Sequence, residues 1–164
     1  MTLQKNSSSN HSDTDYPEGG TASHRQSAGK PTEIVTVRPD AETLTRQRLP
    51  YFIGISETTA GAKGISMNLV IIPPGGSAEP HLHRDYETAI YLIKGRVETR
   101  YGQGLKQTVI NEAGDFIFIP PGVPHQPHNL SDTEPAHALV ARNDPNEQEN
   151  VVLYSFTDTR SNNG

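Results

Sequence analysis

From Tyr51 onward, prolines and glycines cut the chain into short apolar segments, and the period inside those segments is two rather than 3.6. Ile65 to Ile72 is the clearest example. Ile65, Met67, Leu69 and Ile71 share one face there, and Pro73-Pro74-Gly75-Gly76 then stops the run. The same reading predicts strands over Tyr51–Ser56, Glu87–Lys94, Arg96–Tyr101, Lys106–Ile110, Asp115–Ile119, Ala136–Ala141 and Val151–Tyr154. With thirteen prolines and fourteen glycines among 164 residues, long helices are disfavoured, and the expected class is all-β in a single domain.

The margins differ from this middle. Between Thr2 and Pro31 the only apolar residues are Leu3, Tyr16, Ala22 and Ala28, too few to offset the entropy of ordering the segment. Residues 1–31 are therefore expected to form a disordered tail in which His11 and His24 are bystanders. Residues 32–158 are expected to form the domain, and 159–164 a frayed end. Ile34–Val37 is a short β-branched run. Asp40 as N-cap, Glu42 in a first turn, Arg46 and Arg48 in a last turn and Pro50 beyond predict a brief helix over 41–48. Asn143–Asn150 reads as a polar connection.

A net charge of −5 with no basic run leaves no electrostatic footprint for nucleic acid or an anionic membrane, so neither is an expected partner. The sequence contains no cysteine, so any metal site must use histidine and carboxylate ligands. The first thirty residues lack the apolar core of a signal peptide, and no stretch approaches the roughly eighteen apolar residues of a membrane span. The expected location is cytoplasmic.

One constellation carries chemistry. His81 and His83 are two residues apart, which on a strand directs both imidazoles to one face. Glu87 lies at a further even offset and joins them if the backbone stays extended through Arg84-Asp85. In that register Glu87, Ala89, Tyr91 and Ile93 face inward and Thr88, Ile90, Leu92 and Lys94 outward. Both sets are fairly apolar, which predicts a strand covered on both sides. The run Gly114–Ile119 reads as a buried strand, and Pro120-Pro121-Gly122 forces a turn that delivers His125 to the next strand. Three imidazoles and a carboxylate suit one divalent transition metal ion, Fe, Mn, Ni, Co or Zn. Tyr91 and Arg142 are further candidates, as a proton donor or substrate anchor and as a fork donor to a carboxylate or phosphate. His128, at an odd offset from His125, is expected on the opposite strand face, and His137 has no cluster around it.

These residues resemble the two motifs of the cupin superfamily. Gly75-x5-His81-x-His83-x3-Glu87-x7-Gly95 is similar to the first, and Gly114-x5-Pro120-x-Gly122-x2-His125-x3-Asn129 to the second. The glutamate-to-glycine spacing is seven where the family has six, while the histidine-to-glycine distance is preserved. The resemblance covers roughly residues 51–155. It implies a double-stranded β-helix, the antiparallel jelly-roll barrel, with a metal toward its mouth held by His81, His83, Glu87 and His125. Leu49–Ser56, Tyr86–Tyr91 and Ala141–Glu149 further resemble small single-domain bacterial cupins labelled predicted mannose-6-phosphate isomerases, a label that rests on fold and licenses no sugar substrate. The function expected from the resemblance is a metal-dependent oxygenase acting on a small molecule. The alternatives are an isomerase or decarboxylase of a sugar or organic acid, a non-enzymatic ligand-binding module, and a purely structural barrel. Small cupins are similar to one another in pairing, so a homodimer through sheet edges or the 31–56 segment is expected.

Overall fold

A computed structural model of the chain describes residues 32–146 and 151–155. The expected tail over 1–31 and frayed end over 159–164 lie outside the described residues, as does part of the polar connection. The described residues form eleven strands: β1 (Thr43–Leu44), β2 (Pro50–Ile55), β3 (Ser66–Ile72), β4 (His81–His83), β5 (Thr88–Lys94), β6 (Arg96–Tyr101), β7 (Gln107–Glu112), β8 (Phe116–Ile119), β9 (His125–Asn129), β10 (Ala136–Arg142) and β11 (Val151–Leu153). One helical turn, α1 (Glu57–Ala60), and a 3-10 turn at Gln103–Leu105 complete them. The all-β expectation holds.

Every pairing is antiparallel, and the strands divide into two sheets of order β1-β2-β3-β10-β5-β8 and β11-β4-β9-β6-β7. Their inner faces enclose a core built from Tyr51, Val70, Ile72, Leu92, Val97, Ala138 and Val140. This is the jelly roll. Burial alternates strictly along β3 and β10, as period two requires of a sheet with one face on a core. Gly95, between β5 and β6, holds φ +99, and a Cβ there would stand 2.7 Å from Ala136 Cβ. The first motif's glycine is thus set by the close approach of β10.

Three local expectations are corrected. Residues 41–48 are not a helix: β1 pairs with β2 through Thr43↔Tyr51, and Thr45–Leu49 is the turn between them. Thr45, Gln47 and Leu49 are buried while Arg46 and Arg48 are exposed, an alternation that burial against the barrel imposes over a weak helical signal. The helical turn falls instead at Glu57–Ala60, where Ser56 and Thr59 form a capping box and Gly61 ends the turn at φ +69. The third correction concerns faces. In β5 it is Thr88, Ile90 and Leu92 that point into the barrel, so Ala89, Tyr91 and Ile93 lie outside. Likewise β8 is not fully buried: Ile117 and Ile119 face inward, and Phe116 and Phe118 are exposed.

Candidate metal centre

The sheet containing β4 and β9 places three imidazoles at one end of the barrel. His81 and His125 are direct cross-strand partners, and His83 follows His81 on the same face. All three are buried, their ring centroids are 4.2 to 5.2 Å apart, and one nitrogen from each lies within 4.8 Å of the others. The turn that delivers His125 is tied to the same place, since Gly122 N–H donates to the His83 carbonyl at 2.6 Å.

The hydrogen bonds decide which nitrogens are available. Nδ1 of His81 donates to the Glu79 carbonyl at 2.7 Å, and Nδ1 of His125 to the Val123 carbonyl at 2.9 Å. A carbonyl only accepts, so both rings carry their proton on Nδ1 and keep a lone pair on Nε2. Nδ1 of His83 is 2.8 Å from Tyr86 Oη, which accepts when Nε2 of His83 is a ligand. Burial, joined by the charge of Arg142 and the neighbouring rings, lowers the pKa of all three, to about 3 at His81 and about 4 at His125. Three neutral, oriented imidazoles are the donor set of a divalent transition metal ion, and these residues fit one.

Comparison with known proteins agrees. Residues 68–142 match the family model described as the cupin domain. That stretch of the chain is similar to a cupin domain. The chain is 32% identical over 110 residues to the germin-like protein subfamily T member 3 of Arabidopsis thaliana, covering 65% of this chain and 46% of that protein. Among solved structures it is similar to the formate complex of Lactobacillus farciminis oxalate decarboxylase, at TM-score 0.58 and 26% identity, over 69% of this chain and 33% of that one. A Bacillus subtilis oxalate decarboxylase studied for its Mn(II) centres is similar at TM-score 0.57 and 23% identity, over 71% of this chain and 30% of that one, which shows the fold alone. The chain spans less than half the length of each of these relatives.

The structure does not bring the fourth expected ligand to the centre. Glu87 is exposed on the outer side, where its N–H donates to Asn143 Oδ1 at 2.8 Å. The metal-competent group among the described residues is His81, His83 and His125. The cause is parity. The chain bends at Arg84-Asp85, so the even offset from His83 no longer applies, and the register of β5 is set instead by Thr88↔Ile119 and Thr88↔Arg142. One residue of slip sends a side chain to the other face. The extra residue between Glu87 and Gly95 was the available signal, and Thr88 holds the inward position.

Tyr91 is likewise outside the barrel, against Phe116 with ring centroids 4.8 Å apart and planes tilted by 46°, so it has no place in the centre. Arg142 does reach it. The side chain is buried at the end of β10, lines the cavity with the three histidines, and sets its guanidinium 5.7 Å from the Tyr86 ring centroid. His128 bonds Ser77 at 2.8 Å away from the centre. Sequence reasoning missed Tyr86, Thr88 and Gln47. The latter two line the cavity, and neither carried a motif signal, because their inward direction depends on the bend and the hairpin.

Two expected results follow from the hydrogen bonds and burial. Tyr86→Phe removes the acceptor that orients His83, and metal affinity should fall about tenfold with the fold intact, as measured by competition titration against a chelator. Unchanged affinity would remove Tyr86 from the design. The second concerns pH. Histidine in the unfolded chain titrates near 6.5, whereas His125 and His81 in the folded chain titrate near 4 and 3. Between those values the unfolded state binds more protons, so the metal-free protein should lose stability as pH falls from about 6.5 toward 4. Urea midpoints across that range, compared with a His81→Gln variant of shallower slope, test it.

Proposed function

We propose that the protein is a metal-dependent oxygenase acting on a small carboxylate. The observation that carries this is the meeting of three neutral imidazoles with a buried arginine in one cavity, with no carboxylate ligand among the described residues at the centre. A bound divalent ion would supply Lewis acidity and, if iron, activation of dioxygen at positions the three protein donors leave open. His81, His83 and His125 would hold it, their Nδ1 bonds keeping each ring in place. Arg142 offers a planar fork to a substrate carboxylate. Ile90, Leu92, Val70 and Val140 wall the cavity with apolar surface that excludes water. The cavity volume of about 70 Å³ beside the histidines suits a substrate of a few heavy atoms.

A second reading, decarboxylation of a small organic acid, is favoured by the 26% identity to oxalate decarboxylase. A third, a ligand-binding module, is separated from both by turnover. Protein loaded anaerobically with Fe(II), or with Mn(II), is mixed with oxalate, 2-oxo acids and 2-hydroxy acids while oxygen uptake and carbon dioxide release are recorded. Substrate-dependent oxygen uptake supports the oxygenase. Carbon dioxide release without net oxygen uptake replaces it by the decarboxylase, and a retained, unchanged ligand replaces it by the module.

A further inference from the structure

Gln47 brings an uncharged carboxamide to the cavity that holds the three histidines. The residue is 3% exposed, and its Oε1 has no hydrogen-bond partner among the described residues. A buried acceptor in that state costs stability, and a ligand that completes its bonding accounts for its being kept. The local backbone is built to hold it there. Thr45 N–H donates to the Leu49 carbonyl at 2.8 Å, Leu49 N–H to Thr45 Oγ1 at 2.8 Å and Arg48 N–H to the Thr45 carbonyl at 3.0 Å, which closes the turn between β1 and β2. Arg48 stands in that turn at φ +64, a left-handed conformation that a residue with a Cβ seldom adopts. Gln47 is also tied to the metal centre through the backbone. Glu79 N–H donates to the Gln47 carbonyl at 2.8 Å, and the Glu79 carbonyl accepts from Nδ1 of His81.

The other polar groups of the cavity differ from Gln47 in what they offer. The guanidinium of Arg142 only donates. Thr88, the direct cross-strand partner of Arg142, is 1% exposed, and its Oγ1 also has no partner among the described residues. Together these two suit a carboxylate, which only accepts. Oε1 of Gln47 only accepts as well, so a carboxylate leaves it unsatisfied, and the ligand must carry a donor of its own. An ammonium donor would stand against the positive charge of Arg142, with no acidic residue among the described cavity residues to offset it. A hydroxyl donates without that cost. We propose that Gln47 is a specificity-determining residue whose Oε1 accepts the hydroxyl hydrogen of the substrate, so that the acid this site takes is a small 2-hydroxy acid. This rests on the small-carboxylate reading above and narrows it. An oxalate dianion or a 2-oxo acid has no hydrogen to give, and a buried group left unpaired by the wrong substrate is what discriminates against it.

Titration calorimetry of the full chain loaded with redox-inert Zn(II) reads binding without turnover. The tighter-binding enantiomer of lactate should bind at least about tenfold better than pyruvate, which carries an oxo group in place of the hydroxyl. Gln47→Met keeps the volume and removes the acceptor, and should reduce that preference about tenfold. Comparing the two proteins cancels any preference that the metal itself contributes. Without ligand, Gln47→Met should be at least as stable to urea as the wild type, because it removes an unpaired buried acceptor; a merely structural glutamine would give the opposite result. Equal binding of lactate and pyruvate overturns the proposal, as does a preference that survives in Gln47→Met or a Gln47→Met protein that is destabilised or unfolded. Binding of pyruvate alone overturns it and leaves the small-carboxylate reading standing, whereas binding of neither acid overturns both. A Gln47-dependent preference for lactate without oxygen uptake by the Fe(II) protein supports the proposal and removes only the oxygenase.

Discussion

His83→Ala should abolish stoichiometric metal binding and leave the barrel folded. His83 is 2% exposed, its Nδ1 is fixed by Tyr86, and its ring centroid lies 4.9 Å from that of His125. Alanine reduces the donors from three to two. Loss of an outer partner of a metal ligand already costs about 10- to 100-fold in affinity, so loss of the ligand should exceed about 100-fold. The fold should survive because His83 stands at the end of the cavity, outside the hydrophobic cluster that joins the two sheets. Elemental analysis after dialysis reads the first effect and far-ultraviolet circular dichroism the second. Glu87→Gln is the informative companion. Its carboxylate lies on the outer side, so metal content should not change. Metal lost from the Glu87→Gln protein and retained by His83→Ala would sink the three-histidine centre.

Asn129→Ala should destabilise the protein by about 3–5 kcal/mol. Asn129 is fully buried, and its Nδ2 donates to the carbonyls of Ile72 and Pro73, each at 3.1 Å, and of Glu134 at 2.8 Å. Its Oδ1 accepts from Ser131 N–H at 3.0 Å. One side chain thus closes the end of β3 and the loop before β10. Alanine leaves three carbonyls and one amide without that partner, and each buried polar group so exposed to an apolar environment costs about 1–3 kcal/mol, part of which entering water recovers. Asn129→Asp separates hydrogen bonding from volume, because it keeps the shape and replaces the donor by an acceptor facing three acceptors. Urea denaturation should show it at least as unstable as the alanine variant. Near-native stability of Asn129→Asp would mean that the side chain acts only by filling space.

Legibility in the sequence followed the range of the interactions. Strands such as β3, β6 and β10 were visible because alternation and the Pro-Gly punctuation are local. The pairing of His81 with His83 was visible for the same reason: two residues on one strand share a face whatever the strand is packed against. His125 was reachable through Pro120-Pro121-Gly122, whose turn is again a local constraint. The segment 41–48 was misread because its helical signals are worth little in eight residues, and the burial of Thr45 and Gln47 under the barrel overrode them.

Glu87 shows where local reasoning ends. Its parity with His83 is correct along an unbroken strand, but β5 takes its register from β8 and β10, which lie far off in sequence. A one-residue slip at Arg84-Asp85 then exchanges Glu87 for Thr88 at the inner face. The same exchange turns Tyr91 outward beside Phe116 and keeps Arg142, at the end of β10, inside. By itself the sequence determined the all-β class, the turns, and the three histidines on converging strands, because period two and the conformations of proline and glycine are properties of neighbouring residues. Only the tertiary structure decided which face of β5 is inside, and with it that the centre is three histidines beside an arginine and that an apolar face is left open. The physical reason is that alternation names two faces and carries no information about which one the rest of the chain will cover.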